Sequence, residues 1–172
     1  MSVLLALAAQ AFVASSPSLG MAEGRCRANE QGPAFSVSVL GLKDRAGSLK
    51  LELYPANDVD FLADDNVLIN AGKAFRRVVV AVPPTGTPML CIRAPEPGPY
   101  SLVLLHDRDD NRKFNFTSDG IGFPGLPRLG WSKPKSSAAR ATVGTGIASI
   151  AITMQYRTGL ASFGPLREAR GR

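Results

Sequence analysis

The sequence predicts an all-β domain, an antiparallel β-sandwich of six to seven strands. Three observations carry that expectation. Apolar and polar residues alternate with a period of two through successive short runs. Those runs are punctuated by Gly (17) and Pro (13), the residues that turns between strands require. After the first two dozen residues no long stretch of helical period follows. At 172 residues, 45% hydrophobic and 20% charged, the chain can bury one core and lacks the composition of a disordered segment.

The first element reads as a leader. Val3 to Ala14 is an apolar run of signal-peptide length, and no charge appears before Glu23. Ser18-Leu19-Gly20 and Gly20-Met21-Ala22 both fit a small-x-small cleavage site. Residues 1–22 are therefore expected to be a signal peptide, residues 23–160 the β-domain and residues 161–172 a basic tail. The run is too short to cross a bilayer, so no transmembrane span is expected. No Lys or Arg precedes the run, which a misplaced start would explain; the competing reading is an N-terminal helix packed on the domain. Export places the protein in the periplasm or outside the cell. Cys26 and Cys91, an even pair in an exported chain, are expected to form a disulfide worth about 4 kcal/mol by loop-closure entropy.

The strands follow in order. Ala34 to Leu42 puts Phe35, Val37 and Val39 on one face, and Ser48 to Tyr54 does the same with Leu49, Leu51 and Leu53. The two runs, joined by a Lys43–Gly47 turn, read as a hairpin with Lys50, Glu52 and Tyr54 on a wet face. Asn66–Asn70 is a short candidate seventh strand. Phe75–Val82, Met89–Ala94, Tyr100–Asp107 and Gly146–Arg157 complete the set, with Ile150, Ile152 and Met154 as core candidates. Arg108 to Gly144 is a connection of unusual length, the kind that carries function. Two acidic clusters, Asp58/Asp60/Asp64/Asp65 and Asp107/Asp109/Asp110/Asp119, fall at opposite ends of a six-stranded sandwich. They fall at the same end if Asn66–Asn70 is a traversing strand.

Three segments carry the resemblance to a known family: Ser36 to Tyr54, Gly98 to Gly125 and Ala148 to Tyr156. Within them stand a Gly-x-Tyr turn (Gly98 to Tyr100), a His-Asp pair (His106-Asp107), an Asn/Asp-rich loop (Asp109 to Lys113) and Gly122-Phe123. This pattern resembles a bacterial family of small exported proteins, domain of unknown function 2141 (DUF2141), over about Phe35 to Tyr156. The resemblance implies a transthyretin-like or immunoglobulin-like sandwich and no particular reaction. Arg112 stands where the family pattern commonly has glycine, and Asn115 where it commonly has aspartate. Both changes take away from a metal role.

The chemistry on offer is sparse. Asp107, Asp109 and Asn111 stand at i, i+2 and i+4, a spacing by which oxygen ligands wrap calcium, and Asp119 is a fourth candidate ligand. An EF-hand count from Asp107 finds Arg112 at the glycine position and Ser118 at the glutamate position. The same residues also suit a polar turn in which short side chains bond backbone amides. His106, the single histidine, has no partner histidines for zinc or phosphohydrolase chemistry, and no Gly-x-Ser-x-Gly elbow is present. Gly120 to Lys135 reads either as a loop capping the sandwich or as a binding lip. In the lip, Phe123 and Trp131 are anchors and Arg128, Lys133 and Lys135 a rim. The net charge of +6 is scattered, and aromatics are 7%, which argues against a nucleic-acid partner.

The expectation is an exported, non-enzymatic binding module acting through His106, Asp107, Phe123, Arg128 and Trp131 at the His-Asp loop end. Its partner would be a protein, a glycan or an envelope component. A calcium-stabilised structural module is the alternative, and a hydrolase using His106 and Asp107 a third class.

Overall fold

The computed structural model describes residues 12–130, 132–160 and 162–166. The elements are helix α1 (Met21–Gly24), β1 (Ala34–Leu40), β2 (Ser48–Pro55), helix α2 (Asp65–Asn70), β3 (Arg76–Ala81), β4 (Met89–Arg93) and β5 (Gly98–Asp107). Then come β6 (Gly120–Phe123), a 3-10 turn (Ser136–Ala139), β7 (Arg140–Val143), β8 (Ile147–Arg157) and β9 (Phe163–Pro165). The fold is all-β, as expected. The strands join in one sheet in the order β3-β2-β5-β6-β8-β1-β4, with β7 beside the start of β5 and β9 beside the end of β8. The terminal strands of that path, β3 and β4, touch, so the sheet curls into a near-barrel around its core.

Two pairing expectations are corrected. The sheet is mixed rather than purely antiparallel, because β1 runs parallel to β8 from Ala34↔Ile147 to Leu40↔Thr153. Strands so far apart in sequence have the long crossover that parallel pairing needs. The expected β1–β2 hairpin does not form either. β1 sits between β8 and β4, β2 between β3 and β5, and residues 41–47 cross from one side of the barrel to the other.

The inner core is the one the alternation predicts. Phe35, Val37, Val39, Leu49, Leu51, Leu53, Ile152 and Met154 are at most 2% exposed, and each large apolar side chain so buried contributes roughly 1.5–3 kcal/mol. Ile150 is partly buried against them. The face expected to be wet is covered. Glu52 (7%) and Tyr54 (5%) lie under a second core of Phe61, Leu68, Phe75, Val103 and Phe123. Its rings meet edge to face, Tyr54–Phe61 at 5.8 Å and Phe61–Phe123 at 6.2 Å. Helix α2, residues 13–24 and the connection from β6 to β7 supply that cover.

Asn66–Asn70 is thus helix, not strand. Leu68 is 1% exposed and Val67 55%, so the turn buries one apolar residue instead of alternating. Past residue 160, β9 pairs with the end of β8, so the start of the expected tail belongs to the sheet. The Cys26–Cys91 disulfide is present and ties the segment before β1 to β4. Among the described residues no helix is long and apolar enough to cross a membrane.

Candidate functional site

The His-Asp loop leaves the end of β5 and returns as β6. Its base is rigid for reasons that can be read residue by residue. His106 is 0% exposed and closes one end of the inner core. Its Nε2–H donates to the Ala46 carbonyl (2.8 Å), which leaves Nδ1 to accept from the Tyr156 hydroxyl (2.7 Å). That hydroxyl in turn accepts the Lys43 N–H at 3.0 Å. Burial depresses the imidazole pKa and keeps the ring neutral, and burial pushes the Tyr156 hydroxyl up to about 12. His106 therefore latches the 41–47 crossover onto the barrel. Gly47 makes the close approach possible: its φ is +69°, and a Cβ there would stand 1.9 Å from the Asp107 carbonyl oxygen. Arg108 adds a second tie, pairing with Asp44 and donating from Nη1 to the Ser118 carbonyl (2.8 Å). The Arg108 guanidinium holds the Asp44 carboxyl below the usual carboxylate range.

The loop's own carboxylates organise its backbone. Asp107, 2% exposed, accepts the Arg112 N–H at 2.7 Å and the Asn111 N–H at 3.2 Å. Asp119, 1% exposed, accepts the Asn115 N–H at 2.7 Å and the Arg108 N–H at 3.1 Å. Asp109 and Asn111 bond one another, and the Asn111 oxygen is turned to the Lys113 N–H at 2.7 Å. Burial raises the Asp107 carboxyl pKa, reinforced by neighbouring Asp109 and Asp119. Arg112 sits at φ 67°, a left-handed conformation that favours glycine.

Of the four residues proposed as metal ligands, the three carboxylates come together, and Asn111 bonds Asp109 beside them. Oxygens of Asp107, Asp109 and Asp119 lie within 4.8 Å of one another. These are hard oxygen donors of the kind calcium takes, and Asp107, Asp119 and Asn111 alike accept backbone N–H groups of the loop. Arg112 and Lys113 follow directly in the chain.

The proposed binding residues do not form one surface. His106 is buried with both ring nitrogens bonded, and Phe123, 1% exposed, is core. Because β6 runs antiparallel to β5, residues from Pro124 onward leave toward the opposite end of the sheet from Asp107. There Asp58 accepts the Ser136 N–H (2.7 Å), and Lys133 Nζ donates to the Asp58 carbonyl (3.2 Å) and stands over the Phe61 ring. The segment caps the second core. Arg128 is exposed on it, and Trp131 lies outside the described residues. Asp58 and Asp60 follow the end of β2, opposite the His-Asp loop, as the six-strand count predicts, whereas Asp65 of the same cluster lines a groove shared with Asp107.

Two features escaped sequence reasoning. Phe114, 44% exposed, and Phe116 pack on Phe163 of β9 (6.0 and 4.8 Å between centroids), and Arg157 lies over Phe116. Beside the loop, a groove of about 500 Å³ runs over the outer face of β2 and β3, lined by Ser48, Lys50, Asp65, Arg77, Asp107 and Arg112. Nothing local in the sequence announces either, since both join residues far apart in the chain.

A family model described as "Uncharacterized protein conserved in bacteria (DUF2141)" matches residues 37–151. The chain belongs to that family, and the match spans the barrel from β1 into β8. No curated protein and no solved structure matches the chain.

Proposed function

We propose that this family member is an exported, non-enzymatic binding module whose site is the end of the barrel carrying the Asp107–Asp119 loop. One observation carries the reading. Buried Asp107 and Asp119 spend their oxygens on loop amides, while Asp109, Asp110, Arg112, Lys113 and Phe114 stand exposed on that fixed base. A pre-ordered loop with mixed charge and an aromatic is suited to a protein, glycan or envelope surface, because little ordering entropy is left to lose on contact. The disulfide is in keeping with an oxidising, extracytoplasmic compartment. Against hydrolysis, His106 would have to break both its hydrogen bonds to act as a base. The curled sheet divides into two faces in the manner of a transthyretin-like or immunoglobulin-like sandwich. An Arg112→Glu/Lys113→Glu double variant is expected to keep its melting temperature and lose co-purification with a partner from the envelope. A variant that melts normally and still brings the same partner down would remove the loop from the site.

The second reading is a calcium-stabilised module, favoured by the three clustered carboxylates. A cation there would offset the burial, and with it the neighbouring Asp109 and Asp119, that raise the Asp107 pKa. Its test is a thermal melt in calcium and in chelator, with Asp109→Ala beside it. At a hundredfold excess over Kd a bound ion adds about 2.7 kcal/mol, a shift of several degrees that the variant should lose. Superimposable melts would leave the cluster as a loop-ordering device.

A further inference from the structure

We propose that the mature chain keeps residues 13–22 as part of the domain, any leader being cut ahead of Val13. This rests on the export reading above and moves its boundary.

The evidence is how residues 13–24 are held. The Val13 N–H donates to Asn70 Oδ1, and Asn70 Nδ2 donates back to the Val13 carbonyl, both at 2.8 Å. Ser15 Oγ donates to Asp65 Oδ1 at 2.6 Å. The Arg77 guanidinium donates to the Ser16 and Pro17 carbonyls (3.1 and 3.2 Å), and its backbone N–H donates to the Gly20 carbonyl (3.1 Å). Leu19 packs on the second core. At Gly24 the chain lies so close to β3 that a Cβ would stand 2.8 Å from the Arg77 carbonyl oxygen.

These contacts complete buried charges. The side chains of Asp65 and Arg77 are 7% and 11% exposed, and they meet at 3.2 Å, with Glu52 on the other side of Arg77 at 2.8 Å. Cutting at Gly20 or Ala22 would strip Ser15 from Asp65 and three carbonyls from Arg77. A leader removed during export never meets the folded domain, so nothing would shape its hydroxyls and carbonyls to fit Asp65, Asn70 and Arg77. Residues with such partners belong to the mature protein.

The test is the intact mass and N-terminal sequence of the protein recovered from the envelope of cells expressing it from its own gene and upstream region. A chain that contains residues 13–22 is expected. A chain beginning at Met21 or Glu23 overturns the boundary while leaving export intact. An uncut chain confined to the cytoplasm overturns the export reading on which this rests. Ser16→Ala gives an independent reading: the mature mass falls by one oxygen atom if position 16 is retained, and an unchanged mass contradicts the proposal.

Discussion

At the scale of single residues, His106 and Arg112 show opposite uses of the chain. His106 was conspicuous in the sequence as a lone histidine beside an aspartate, a pattern that fits a ligand as well as a structural tie. The choice is made by Ala46 and Tyr156, which approach from distant strands. His106→Ala should cost about 1–3 kcal/mol for the polar groups left unpaired, read from urea denaturation. Its pH signature has a definite sign. The folded pKa is depressed below the ordinary value near 6.5, so the stabilisation is complete above that value and is lost as pH falls toward the folded pKa. Asp107 has the opposite sign: its raised carboxyl pKa favours the folded state as pH falls through the raised value toward 3.8. His106→Gln should therefore flatten the fall in stability just below pH 6.5 and spare the Asp107 contribution. An unchanged profile would mean that His106 is not the titrating group. Arg112 carries a left-handed backbone at φ 67° that glycine would adopt freely. Arg112→Gly should raise stability by about 0.5–1 kcal/mol, the left-handed penalty less the glycine's extra unfolded entropy. A loss of stability would show that the Arg112 side chain holds the loop.

At the scale of elements, the strands with alternating apolar faces were legible because burial on one face writes a period of two directly into Leu49, Leu51 and Leu53 or Phe35, Val37 and Val39. Asn66–Asn70 was not, since five residues are too few to separate one buried position per turn from alternation. The short strands β6, β7 and β9 were hidden because each holds only three or four residues and borrows its order from β5 or β8. Pairing was hidden altogether: nothing in β1 says that it will lie parallel to β8 rather than fold back on β2. The same distance hid the separation of Phe123 from the His-Asp loop end. Its role as cover has a consequence. Phe123→Ala should cost about 3–5 kcal/mol by opening the second core, whereas Arg128→Ala, exposed on the same connection, should move the melt within about 0.5 kcal/mol. Equal effects would contradict the division between core and surface drawn from burial.

At the scale of the whole molecule, one curled sheet holds an inner core, an outer core under α2 and the long connection, and a charged loop at one end. Its N-terminal region is pinned by the Cys26–Cys91 disulfide, separated by 65 residues. Reduction should lower stability by about 4 kcal/mol, checked by denaturation with and without reductant, and an unchanged midpoint would mean the bridge constrains little. The loop end is the face that the fold both fixes and leaves open, so the partner should be met there. A photo-crosslinking residue placed at Lys113, and as a control at exposed Val67 on α2, measures this directly in the intact envelope. The expected result is a discrete adduct from position 113 and none from position 67. Adducts from position 67 alone, or none from 113 under conditions where the protein is exported and folded, would contradict the assignment of the site.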